Sequence, residues 1–189
     1  MAYVGKGLSA IKEANEGGVA YLKLKDGEST EIRIITPLDE IMSVYEHAEQ
    51  IDGRWKNFTC LGKDRCPACK MGKNASFKSF IVVYDRKDDK TKIFKASKTV
   101  GTALLALVEE YGDITKRDLK IKREGEKLNT KYHFFARDIK AFDSSTLELP
   151  DVDEIVAPKT PEELMTLLNS GARDIDVESD VAESDDYMF

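Results

Sequence analysis

The residues best equipped for chemistry in this chain are His47, Cys60, Cys66 and Cys69, spaced His-x12-Cys-x5-Cys-x2-Cys. Two residues between Cys66 and Cys69 let both thiolates reach one tetrahedral ion at about 2.3 Å, with backbone amides turned toward the sulfurs. Three thiolates and an imidazole complete a four-donor set, so the pattern predicts one structural Zn2+ with no position left open for a substrate. Gly62 and Gly72 flank the donors and permit a tight backbone, while Lys63, Arg65, Lys70 and Lys73 favour the thiolate form. The fourth donor is one of two histidines, His47 or His133; His47 is preferred because it ends the strand that leads into the cysteine loop. An odd number of cysteines within ten residues argues against a disulfide framework and for a reducing compartment.

A catalytic use of the same residues must be weighed. His47-Ala48-Glu49 followed by Cys66-Pro67-Ala68-Cys69 approaches the H-x-E…P-C-x-x-C pattern of zinc nucleobase deaminases. Here the proline lies between the cysteines, only sixteen residues separate Glu49 from Cys66, and Cys60 fills the position an activated water needs. No Walker A, GxSxG or HExxH motif occurs. The expectation is a protein that is not an enzyme and has no small-molecule substrate. A zinc-ribbon interaction module of transcription is a further alternative, but it leaves the basic and aromatic centre of the chain unexplained.

That centre is pronounced. Residues 54–98 hold thirteen Lys and Arg against four Asp and Glu, interleaved with Trp55, Phe58, Phe77, Phe80, Tyr84 and Phe94. A second basic stretch, 116–140, carries Tyr132, Phe134 and Phe135. Single-stranded nucleic acid needs this combination: cations to track phosphates, and flat rings on which bases stack for about 1–3 kcal/mol each. The candidate contacts are Arg54, Trp55, Lys56, Lys63, Lys70, Lys73, Lys78, Tyr84, Arg86, Lys95, Lys120, Lys122, Tyr132 and Arg137. Half the rings of an alternating strand face the core, so Phe77, Phe80 and Phe94 divide between packing and stacking, and Trp55, Tyr84 and Tyr132 are preferred for bases.

The net charge of −6 hides this, because residues 1–147 carry +5 and residues 148–189 carry −11. No apolar run approaches the ~20 residues of a membrane span, and the first residues have no export or transit signal, so a cytoplasmic location is expected.

The elements that must position these residues are mainly β. Residues 1–16 read as a short arm, with Ser9 available as a helix N-cap before Ile11. Residues 19–25 and 30–36 alternate around Asp26-Gly27 and predict a hairpin; residues 41–47, 77–84, 92–96, 119–123 and 131–139 predict further strands. Residues 100–111 have helical spacing closed by Gly112. One helix between two strand pairs suits an OB-type β-barrel over residues 17–149, with a zinc-binding insertion at about 47–76. Residues 150–173 read as an acidic linker and a short helix, and 174–189 as a disordered acidic tail. The tail ends in Asp185, Asp186, Tyr187, Met188 and Phe189, a polyanion able to compete for a basic groove with an apolar tip able to dock on a partner.

Taken together, the quartet His47, Cys60, Cys66 and Cys69, the basic aromatic centre and the ESDDYMF tail resemble the zinc-containing single-stranded DNA-binding (helix-destabilising) proteins of tailed phages, the T-even type. The resemblance implies a protein of phage DNA replication, recombination or repair in the host bacterial cytoplasm. Such a protein coats and protects single strands and recruits replication or recombination proteins through the tail. This chain is shorter than the T-even type and has only Lys6 and Lys12 in its first sixteen residues, so the basic arm that supports cooperative binding in that family has no counterpart. Deleting residues 174–189 is expected to tighten binding to a single-stranded oligonucleotide while weakening capture of replication proteins. Unchanged affinity in a fluorescence titration would contradict the competing role.

Overall fold

A computed structural model of the chain describes residues 19–170; the expected arm over 1–16 and the acidic tail over 174–189, with Asp185, Asp186, Tyr187, Met188 and Phe189, lie outside the described residues. In chain order the elements are β1 (Ser29–Ile34), β2 (Met42–Ile51), β3 (Arg54–Thr59), the one-turn helix α1 (Pro67–Lys70), β4 (Ala75–Asp85), β5 (Lys90–Ser97), α2 (Lys98–Tyr111), β6 (Arg117–Glu124), β7 (Lys131–Ile139), α3 (Val152–Val156) and α4 (Pro161–Ser170). Among the described residues no helix is long and apolar enough to cross a membrane.

All the strand pairs are antiparallel and belong to one sheet, in the order β3-β2-β4-β1-β6-β7, with β5 also on β4. The long strand β4 is the spine. One of its edges pairs β5 from Lys78 to Asp85; its other edge takes β2 at Ala75–Phe80 and then β1 at Val83–Asp85. Residues 79–83 of β4 are buried on both faces, which accounts for the strongest β pattern in the sequence. On one face Ile81 and Val83 join Ile32, Ile34, Phe94, Leu119 and Ile121 in the main core. On the other, Phe80 packs with Ile93 and Val156 of α3. Helix α2 covers the main core with Val100 and Leu104; its start is capped by Ser97, whose side chain accepts from the Val100 N–H, and Gly112 ends it at φ +72°.

Three expectations are corrected, and closure of the strands into a barrel is not seen among the described residues. Residues 19–25 do not form a hairpin with β1. Leu22 and Leu24 instead turn into the main core, and the Ala20 and Leu22 backbones bond Ile93 of β5 at 2.8 Å each. That contact occupies the outward N–H and C=O of Ile93, and among the described residues the sheet is open: Tyr132 and Phe134 of β7 reach Phe94 through ring contacts of 5.6 and 6.2 Å, with no backbone ladder between β5 and β7. The stretch after His47, expected as loop, contains β3, and the stretch 151–161, expected as linker, contains α3.

A polar network joins β1, β4 and β6. Buried Arg33 donates to Asp118 at 2.7 Å and to the Lys140 carbonyl at 2.9 Å, and Arg86 donates to the same Asp118 at 3.0 Å. Both guanidiniums lie over Phe142, Arg86 at 4.4 Å and Arg33 at 5.4 Å. Burial alone would raise the Asp118 carboxyl, but bonds and charge from Arg86 and Arg33 hold it below its ordinary 3.8. A carboxyl lowered in the folded state adds stability that is present above 3.8 and is lost as pH falls through the folded value. Asp118→Ala, which leaves Arg33 buried without its partner, is expected to cost about 3–5 kcal/mol and to flatten the acid limb of stability. Denaturant unfolding at neutral and acid pH reads both; a change within about 0.5 kcal/mol would contradict the network's role.

Candidate metal centre

The β2–β3 hairpin begins the site. Its two-residue turn, Asp52-Gly53, takes positive φ at both positions, +52° and +70°, matching the right-handed twist of the strands. The resulting register sets His47 opposite Phe58, and the two rings stack at 5.4 Å. Pairing with β2 continues one residue past β3: the Cys60 N–H donates to the Tyr45 carbonyl at 2.8 Å, which holds Cys60 beside the strand carrying His47. Gly62, at φ +87°, then reverses the chain, its N–H directed at Cys60 Sγ at 3.4 Å, and its carbonyl accepts from the Cys66 N–H at 2.9 Å. Pro67 suits the first position of α1, where no backbone N–H is needed, and the single turn brings Cys69 round toward Cys66.

The four donor atoms of His47, Cys60, Cys66 and Cys69 lie within 4.8 Å of one another, close enough to hold a metal ion. His47 Nε2 is 3.4 Å from Cys66 Sγ and from Cys69 Sγ, and Cys60 Sγ is 3.5 Å from Cys69 Sγ. His133 is elsewhere, on β7 with Glu124 at 3.1 Å, so the quartet contains His47. His47 and Cys66 are fully buried.

The electrostatics suit a cation. Burial lowers His47, against the Asn74 backbone and the Glu49 charge, and favours the neutral imidazole that ligates. Cys66 is lowered: burial opposes ionisation, but hydrogen bonds from the Cys69, Leu61 and Ala68 backbones and from Cys60 outweigh it. Cys69 is pushed up to about 12 by burial, its bond with Cys60 and the nearby sulfurs of Cys66 and Cys60. Three thiolates so close repel one another until a divalent ion neutralises them.

Helix α4 holds the centre from outside. Leu164 is fully buried against Phe58, Cys66 and Ala68, with Leu167 and Leu168 beside it; the preceding helix α3 is tied to β3 separately, where Thr59 donates to the Val156 carbonyl at 2.7 Å.

The expected nucleic-acid contacts distribute over three surfaces. Arg54, Trp55 and Lys56 lie exposed on β3, with Lys63, Lys70 and Lys73 exposed around the cysteine loop; Lys73 pairs with Glu49 at 2.9 Å. Lys78 and Lys95 are partly buried where β2, β4 and β5 meet, and Lys95 pairs with Glu46 at 2.5 Å. Lys120, Lys122 and Arg137 line the outward face of β6 and β7; Arg86 is tied to Asp118, and Tyr84 meets Phe142 at 5.1 Å and donates to Asp89. Tyr132 faces the main core against Phe94, whereas its neighbour Phe135 is half exposed. Sequence reasoning also passed over Tyr45, which is 61% exposed and meets Phe77 edge-to-face at 5.9 Å. The signal for it was present: two residues before His47 in an alternating strand, it shares that histidine's face.

No protein-family model matches the chain, and a search of curated proteins returns no match.

The purified, reduced protein is expected to carry about one equivalent of a divalent metal ion per chain. Cys66→Ser and His47→Ala should each lower the content to a small fraction and open residues 60–74 to proteolysis. Full metal content in Cys66→Ser would contradict the four-donor site.

Proposed function

We propose that this chain is a non-enzymatic, sequence-tolerant single-stranded DNA-binding protein with one structural zinc ion, acting in phage DNA replication, recombination or repair. The observation that carries the reading is the exposed Tyr45 ring, which meets the half-buried Phe77 edge-to-face and is fixed beside the quartet by the bond between the Cys60 N–H and the Tyr45 carbonyl. Three soft thiolates and an imidazole in a compact set are donor chemistry that favours zinc. When bound, the ion supplies charge neutralisation and a cross-link, not a reactive water. Lys63 and Lys70 are exposed on the loop that carries the cysteines, with Arg54 and Lys56 exposed on β3, the strand paired with β2.

The strand arrangement supports an OB-type core: β1 lies between β4 and β6, and the helix α2 falls between β5 and β6. Such cores bind single strands by stacking bases over a cationic surface. The deaminase alternative receives no support from Glu49, which is engaged by Lys73 at 2.9 Å and is absent from the donor cluster. The acidic residues 174–189 would tune affinity and recruit replication or recombination proteins, with the protein working in the host bacterial cytoplasm.

Titration with oligothymidylate at two salt concentrations tests the reading. Binding is expected at low salt and should weaken steeply as salt rises. Tyr45→Ala should lose about 1–3 kcal/mol of affinity, the usual worth of one stacked base. Absence of binding at low salt would contradict the proposal.

A further inference from the structure

The outward face of β6 and β7 carries an arrangement that the metal centre does not explain. In β7, Phe134 and Phe135 are adjacent, so the pleat sends them to opposite faces. Phe134 packs against the main core, while Phe135 remains 50% exposed. Its cross-strand partner is Lys120, which forms no ion pair among the described residues. Lys120 also lines a shallow open groove with Arg86, Lys87, Arg137 and Glu31. Arg137 pairs there with Glu31 at 2.7 and 2.9 Å and Arg86 with Asp118 at 3.0 Å, which leaves Lys87 and Lys120 without an ion pair among the described residues. The groove therefore keeps a positive surplus beside an exposed ring.

Strand registers place this groove on the other side of the sheet from Tyr45. Tyr45 pairs with Phe77, whose face of β4 continues through Val83 to Ile34 of β1, and so to the core side. Lys120 pairs with Glu31 and Phe135, all on the opposite side. A surplus of cations alone fits any polyanion. The flat ring in register with a lysine narrows the choice, because a nucleic-acid strand alternates phosphate and base, and an acidic peptide leaves the ring unused.

We propose that Phe135 and Lys120 form a second single-strand subsite, in which Phe135 stacks a base and Lys120, Lys87 and Arg137 track the adjoining phosphates. The proposal rests on the single-stranded DNA reading given above. A strand occupying both subsites must pass around an edge of the sheet, so the two sites can be probed separately.

The experiment uses the full-length, metal-loaded chain with oligothymidylate carrying photoreactive 5-iodouracil. Cross-links to Phe135 are expected in addition to those at Tyr45 or Phe77. Phe135→Leu, which keeps an apolar side chain but no ring, should weaken binding about fivefold or more, and Phe135→Trp should restore it. Lys120→Gln should reduce the slope of log affinity against log salt by about one. Thermal midpoints of these surface variants should match the parent. If the oligonucleotide binds but no cross-link reaches Phe135 and Phe135→Leu binds normally, the second subsite is overturned and the Tyr45 reading stands. If Phe135→Leu binds more tightly, the groove holds a competing segment of the chain, and the proposal is likewise overturned. Loss of all binding in the parent protein at low salt overturns both.

Discussion

Three thiols and a histidine drawn into one small volume impose the constraint on which the cysteine loop and the rings beside it depend. The arrangement is unfavourable for the side chains alone: Cys69 is driven up to about 12 by burial and by its sulfur neighbours. The segment from Cys60 to Lys73 has little apolar surface to hold it otherwise. Cys66, Pro67 and Ala68 are buried, but most of the remainder is exposed. Leu164 of α4 closes the outside, and the stacked Phe58 and His47 close the inside. A cation held by these four donors would convert mutual repulsion into a cross-link, and its binding free energy would then become folding free energy for the loop.

The sheet carries that constraint outward. His47 and Tyr45 share one face of β2, so fixing the histidine also fixes the exposed ring beside it. Strand β4 links this region to the main core, since β2 and β1 occupy successive lengths of one edge and β5 runs along the other. Charge is segregated along the same lines. Buried cations such as Arg33 are matched by Asp118, whereas Lys63, Lys70, Lys87 and Lys120 face solvent or partly face it without an ion pair among the described residues. A surface built this way leaves its positive charge available to a polyanion, which is the physical basis of the proposed function.

The quartet was legible because ligand spacing is a local property, and β4 and α2 because their periodicities persist over eight or more residues. What escaped was decided at a distance. Residues 19–25 alternate like a hairpin strand, but Leu22 and Leu24 find their neighbours in the main core and at Ile93. Strand β3 reads as loop because only Phe58 among its six residues is buried. In β7 the consecutive apolar residues Phe134, Phe135 and Ala136 leave the phase of alternation ambiguous. The pairing of Phe134 with Ile121 turns Tyr132 inward and Phe135 outward. Helix α3 was hidden in an acidic segment because its three apolar residues are recognisable only against Phe80, Met42 and Val44.

In the proposed function, a metal ion held by His47, Cys60, Cys66 and Cys69 would fix the cysteine loop and the Tyr45 ring as one wall for a single strand, while the main core of the sheet packs without these residues. The most direct test compares oligothymidylate affinity before and after metal removal by a chelator under reducing conditions, with circular dichroism recorded on the same samples. The account predicts that the β-sheet spectrum is retained and that added zinc restores any affinity the chelator removes. The fall should be about tenfold or more, the size expected when one displaced ring no longer stacks on a base. Equal affinity with and without the metal, at unchanged spectrum, would contradict it.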